Sequence, residues 1–251
     1  MPLLWLGGLF FATALAYAMV GFGGGSTYTA LLVLAGTDYS LIPAISLACN
    51  ITVVTGSTLR FAQARLIRWR RLVLLCSASI PLAWLGGRID IPERAFITVL
   101  GLALMASAAA LVFRPGKVTR STIRLPRWSE PLIGGGTGFL AGLVGIGGGI
   151  FLAPLLHLMR WGAAREIAAA SAVFILVNSV SGLTGQAQRL AANGDIDALL
   201  AYWPLLPAVL VGGQIGVWIG RDKASDLWLI RLTALLVLFV ALRLLARAAG
   251  I

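Results

Sequence analysis

One histidine, two cysteines and nine carboxylates among 251 residues leave little from which to build a catalytic or metal centre. Cys49 and Cys76 lie inside apolar runs without C-x-x-C spacing, which excludes a disulfide framework and a cysteine metal site. They read as small core residues. Each carboxylate, from Asp38 to Asp226, falls in a loop or at the end of an apolar run. No buried acid is therefore expected to relay protons or hold sodium at mid-membrane. Charge is scarce overall, at 12% of residues against about 25% in soluble domains. No Lys or Arg precedes Arg60, so the first apolar run, Leu3 to Val20, lacks the basic leader of a cleavable signal peptide and is expected to persist in the mature protein.

What remains is apolar: 59% hydrophobic residues and a mean hydropathy of +0.93. That composition predicts an all-α polytopic membrane protein. A net charge of +11 would suit a nucleic-acid partner, but the arginines gather between apolar runs, as cytoplasmic loops do. The partners expected are membrane lipids and a small solute, with no nucleic acid and no cofactor. Spans are expected at Leu41–Leu59, Leu72–Gly87, Ala95–Phe113, Ile167–Gly185, Leu199–Gly220 and Leu227–Leu245, with Gln186 to Asp197 as a polar loop. The dense basic loop Arg60, Arg65, Arg68, Arg70 and Arg71 marks its side as cytoplasmic.

Gly145-Ile146-Gly147-Gly148-Gly149 stands between two apolar runs and repeats Gly21-Phe22-Gly23-Gly24-Gly25, 124 residues earlier. Pro81 with Gly86-Gly87 likewise meets Pro207 with Gly212-Gly213 at 126 residues, and Gly56 meets Gly182 at 126. The chain thus reads as one membrane unit written twice: residues 1–113, a basic linker at 114–130, and residues 131–251. Glycine costs about 1 kcal/mol relative to alanine within a helix, so four in five positions serve shape. In lipid, broken backbone is tolerated where it is buried or lines a cavity, and transporters turn half-helix N-termini towards anions at such breaks.

Two topologies fit. A kink at each break gives four spans per half, parallel halves and cytoplasmic termini; a re-entrant hairpin gives three crossings per half and inverted halves. The basic C-terminal end, Arg243 and Arg247, favours the parallel form, while the 14 residues of Pro131–Val144 suit a hairpin.

With no buried acid to attract a cation, an anion held by amides and hydroxyls is the better fit. The candidate binding residues are Gly23, Gly24, Gly25, Ser26, Thr27, Ser46, Asn50, Gly147, Gly148, Gly149, Ser171, Asn178 and Ser181. Asn50 and Asn178 rank first, because an unpaired amide in hydrocarbon is costly. His157, the one histidine, is the candidate for proton coupling. Gly212, Gly216 and Gly220 fall on one helix face, the pattern of close helix packing. The Gly21–Ser26 run lacks the strand-turn-helix setting of a dinucleotide loop.

The doubled Gly-x-Gly-Gly-Gly, the stretches Ala44-Ile45-Ser46 and Ala169-Ala170-Ser171, and the run Asn178-Ser179-Val180-Ser181-Gly182 resemble the TauE/SafE family of membrane transporters. The resemblance covers nearly the whole chain. It implies about eight transmembrane helices in two homologous halves, a bacterial inner-membrane location, and export of sulfite or an organosulfonate coupled to a proton or other ion; the sequence holds no ATP-binding motif to power primary transport. Arg60 and Gln186 stand near positions where the family often carries a loop histidine. Uptake of a related organic anion is the near alternative; a membrane-embedded enzyme and an accessory scaffold are the more distant ones.

Overall fold

A computed structural model describes residues 3–112, 129–159, 161–219 and 227–249. Among them every regular element is a helix: α1 (Leu3–Val20), α2 (Gly25–Leu34), α3 (Ile42–Gln63), α4 (Trp69–Arg88), α5 (Glu93–Val112), α6 (Ser129–Val144), α7 (Gly149–Leu158), α8 (Ala164–Asn193), α9 (Ile196–Leu200), α10 (Leu205–Ile219) and α11 (Leu227–Ala249). Most of the basic linker lies outside the described residues. α3 and α8 are each long and apolar enough to cross a membrane.

Local signals set the ends. Pro43 opens α3, where its missing N–H is no loss. The Glu166 carboxylate accepts the Ala163 amide at 2.8 Å to start α8, and Gly194 stops it in the left-handed conformation at φ 80°. Two expectations are corrected here. Gln186 to Asn193 is helix rather than loop, because no glycine precedes Gly194 to stop it after Gly185. The expected span Leu199–Gly220 is divided by a turn at 201–204, with Pro204 just ahead of α10.

The glycine breaks are reversals, not kinks. Gly24 packs level with Thr13 and Tyr17 of α1, and Tyr28 of α2 stacks on Phe10 at 4.7 Å, so α2 runs back along α1. The second break repeats this, with Gly148 level with Thr137 and Ala141 of α6. Both sets of contacts are 124 residues apart.

An ion pair, two hydrogen bonds to carbonyls and a packing contact fix the directions of two further helix pairs. Arg68, just before α4, meets Glu166 at the start of α8, while Ser40, just before α3, meets Arg189 near the end of α8. α3 and α8 are therefore antiparallel. Arg94 of α5 donates to the Ala248 carbonyl of α11, and Gly101 packs on Leu245, so these two are also antiparallel.

The tightest packing joins distant parts of the chain. A methyl group added at Gly134, Gly138 or Gly142 of α6 would strike the carbonyls of Leu75, Ser79 and Ala83 of α4 in turn. At Gly212 and Gly216 of α10 it would strike those of Phe11 and Leu15 of α1. These seams depend on van der Waals contact, since lipid tails supply no hydrophobic drive between helices. Leu4, Trp5, Trp218 and Phe239 point outwards, as an apolar surrounding requires.

Candidate functional site

Each glycine of the repeated motif has its own task. Gly21, at φ 87°, ends α1: its amide reaches the Ala18 carbonyl at 3.1 Å, and the next amide reaches Tyr17 at 2.9 Å. Gly145, at φ 79°, ends α6 with its amide on the Ala141 carbonyl at 3.0 Å. Gly24 and Gly148, at φ 88° and 77°, then start α2 and α7, their carbonyls accepting the amides of Tyr28 and Leu152, each at 3.0 Å. A left-handed conformation would strain any residue with a side chain by about 1–2 kcal/mol. Gly24 also brings no side-chain oxygen to its helix. The first-turn amides of Gly25, Ser26, Gly149 and Ile150 have no i−4 carbonyl to bond.

The two starts meet. A methyl placed on Gly25 would lie 2.5 Å from the Ile146 carbonyl oxygen of the other break, and 2.5 Å from Nδ2 of Asn50. One placed on Gly147 would lie 2.8 Å from the same Nδ2 and 3.1 Å from Oγ of Ser179. Asn50, fully buried midway along α3, thus stands between the breaks and donates to the Ile146 carbonyl at 3.3 Å. Its Oδ1 has no partner. The start of α2 and the turn into α7 thus both border Asn50, and each helix N-terminus is equivalent to roughly half a positive charge.

Other expected residues divide. Ser46 and Thr29 both donate to the Gly25 carbonyl, at 3.1 and 2.8 Å, and brace the first break. Thr27 shares a 3.0 Å hydrogen bond with the Tyr17 hydroxyl. The hydroxyls of Ser26 and Ser171 are buried without a partner, and the Ser171 carbonyl lies against Gly149. Asn178 donates to the Phe174 carbonyl at 2.8 Å and keeps Oδ1 unpartnered. Ser181 turns away to the Ile80 carbonyl of α4 at 2.6 Å, a helix-to-helix tie. The His157 side chain lies outside what the structure describes. Ser179, buried and unpartnered beside Gly147, was not among the expected residues. The four-residue step Ser171, Ile175, Ser179 along the helix face would have found it.

Both ends of this core are tied by charges. At the basic face Arg71 holds Glu130 at 2.8 Å and the Trp161 carbonyl at 2.6 Å. Glu130 is 2% exposed, so one acid is buried after all, at the first turn of α6 rather than mid-helix. Glu166, ahead of the apolar stretch of α8, is held below the usual carboxylate range by the Ala163 amide and, next, by Arg68. At the opposite face Arg189 holds Asp90 at 3.1 Å and the Ser40 carbonyl at 2.6 Å. Gln186 accepts from Arg189 at 2.8 Å and donates to the Gly142 carbonyl at 2.9 Å. Among the described residues no group of three or more His, Cys, Asp or Glu is placed to hold a metal.

The chain matches the family model described as sulfite exporter TauE/SafE over residues 6–244. It is 35% identical to a probable membrane transporter protein of Sinorhizobium fredii, over 94% of this chain and 95% of that protein. It is 25% identical to probable membrane transporter proteins of Methanocaldococcus jannaschii, over 94% of this chain and 92% of that one, and of Bacillus subtilis, over 83% and 85%. No solved structure matches it.

Proposed function

Because the chain belongs to the TauE/SafE sulfite exporter family, and is thus an integral membrane transporter rather than an enzyme, we propose that it is a secondary transporter of a small sulfur-containing anion. Sulfite or an organosulfonate is the substrate in this reading, and export the direction. The observation that carries it is the meeting of two half-helix N-termini around Asn50, with no acidic side chain among the contacts of either break. The tightness of that contact favours a small solute. The binding set is Gly23 to Thr27, Ser46, Asn50, Gly147 to Gly149, Ser171 and Asn178, to which Ser179 is added.

In this reading the eight long helices cross the membrane, and residues 1–113 and 131–251 are inverted repeats with the basic face cytoplasmic. Inversion is supported by the antiparallel α3 and α8, and by an odd number of passes in each half once α2 and α7 return from the breaks. Alternating access then needs the two sets of end ties to open in turn.

The test is flux of sulfite and methanesulfonate into proteoliposomes holding the purified protein, with and without a pH gradient. Saturable flux is expected, and its scaling with the gradient would identify proton coupling. Leak alone, from folded protein, would overturn the assignment of substrate class.

A further inference from the structure

We propose a second oxyanion subsite, away from the glycine breaks, in a cavity of about 450 Å³ on the face opposite the basic loops. It rests on the transport reading only for its role as a waiting position; as a binding site it stands alone. The cavity lies where α4 and α8 end together, and Trp84, Arg88, Asp90, Gln188, Arg189 and Asn193 line it.

Arg189 is the reason to read it as built. Its side chain is 8% exposed, and its donors are shared out: Nη1 to Asp90, Nη2 to the Ser40 carbonyl and to Gln186. Gln186 is itself pinned by its bond to the Gly142 carbonyl, so the guanidinium is fixed in rotation. Nε is left buried without a partner. Nε is enclosed, so what Arg189 brings to the cavity wall is a guanidinium fixed in place rather than a free N–H.

Arg88 supplies the second donor group. Its guanidinium lies over the Trp84 ring at 5.1 Å, which orients a long side chain without using its N–H groups. Asp90 is taken up by Arg189, so the charge of Arg88 is left over for a ligand. Planar, forked donors suit a sulfonate, sulfite or carboxylate. The amides of Gln188 and Asn193 on the rim add neutral donors.

The experiment titrates the purified protein with methanesulfonate at constant ionic strength and follows tryptophan emission, with chloride as control. A saturable change is expected that disappears in Trp84→Phe. In Arg88→Gln, an exposed position with little bearing on folding, the half-saturation concentration should rise roughly tenfold, the weight of one charge-assisted hydrogen bond. An identical titration in Arg88→Gln overturns the subsite, whether or not the protein transports. Arg88-dependent binding without flux keeps the subsite and removes the transport reading. The titration is repeated in nanodiscs with and without phosphatidylglycerol. A signal that needs that lipid and is not displaced by methanesulfonate would make a headgroup phosphate the ligand and overturn the proposal.

Discussion

Gly25→Ala is the sharpest probe of the meeting between the breaks. Its backbone is not left-handed, so the change adds no strain of that kind, and every consequence comes from one methyl group. That methyl would lie 2.5 Å from both the Ile146 carbonyl oxygen and Asn50 Nδ2, where ordinary contact begins at 3.4 Å. The breaks must separate by about 0.9 Å, and the Ile146 side of the contact is backbone, which cannot rotate away. Overpacking of this size costs about 1–3 kcal/mol. Gly136→Ala is the matched control: it lies within α6 with nothing within 4 Å of the added methyl and should stabilise by about 0.5–1 kcal/mol. Thermal unfolding of both variants in one detergent, with flux in proteoliposomes, gives the comparison. Gly25→Ala should unfold at a lower temperature and lose most of its transport, whereas Gly136→Ala should keep both. If Gly25→Ala unfolds and transports like the parent protein, the two breaks do not touch and the site is misplaced.

Asn50→Leu removes one weak donor and one unpartnered acceptor together, so stability should change by no more than about 1 kcal/mol while the half-saturation concentration for the anion rises at least tenfold. Chemical denaturation and flux on the same preparation separate the two effects. Arg71→Ala strands the buried Glu130 carboxylate and should cost about 2 kcal/mol, less than the roughly 3–5 of a fully buried pair because Arg71 is 37% exposed. Glu130→Gln, which strands no charge, should cost less, and the opposite order would sink this account of the pair. The lowered proton affinity of Glu166 means its contribution is complete above pH 4.5 and fades as the pH falls through the depressed value. The unfolding temperatures of the parent and Glu166→Gln should therefore differ near neutrality and converge in acid; a constant gap would refute the linkage.

Much of this was legible in the sequence because glycine is a strong local signal. The end of α1 at Val20 follows from an apolar run cut by Gly21. Direction was not legible. Gly21 as a helix stop looks the same before a kink and before a reversal, and only the contacts of Gly24 with Thr13 and Tyr17 decide between them. Register across the repeats was also hidden. Two asparagines suggest a matched pair, yet the residue that meets Gly149 as Asn50 meets Gly25 is Ile175, so the breaks are lined unequally. Gln186 and Arg189 read as loop residues because polar side chains ended the apolar run, whereas their hydrogen bonds to Gly142 and Ser40 carry the helix onwards.

The seam between α1 and α10 has a consequence for biogenesis. α1 is made well before α10, and the glycines that fit its carbonyls at Phe11 and Leu15 arrive about 200 residues later. At about 5–20 residues per second, that is on the order of 10–40 s during which the groove on α1 has no partner from its own chain. The seam of α4 closes sooner, once α6 emerges. A nascent chain halted before Leu205 would therefore hold α1 inserted but unclasped, open to lipids, to insertion factors, or to the α10 of a neighbouring copy.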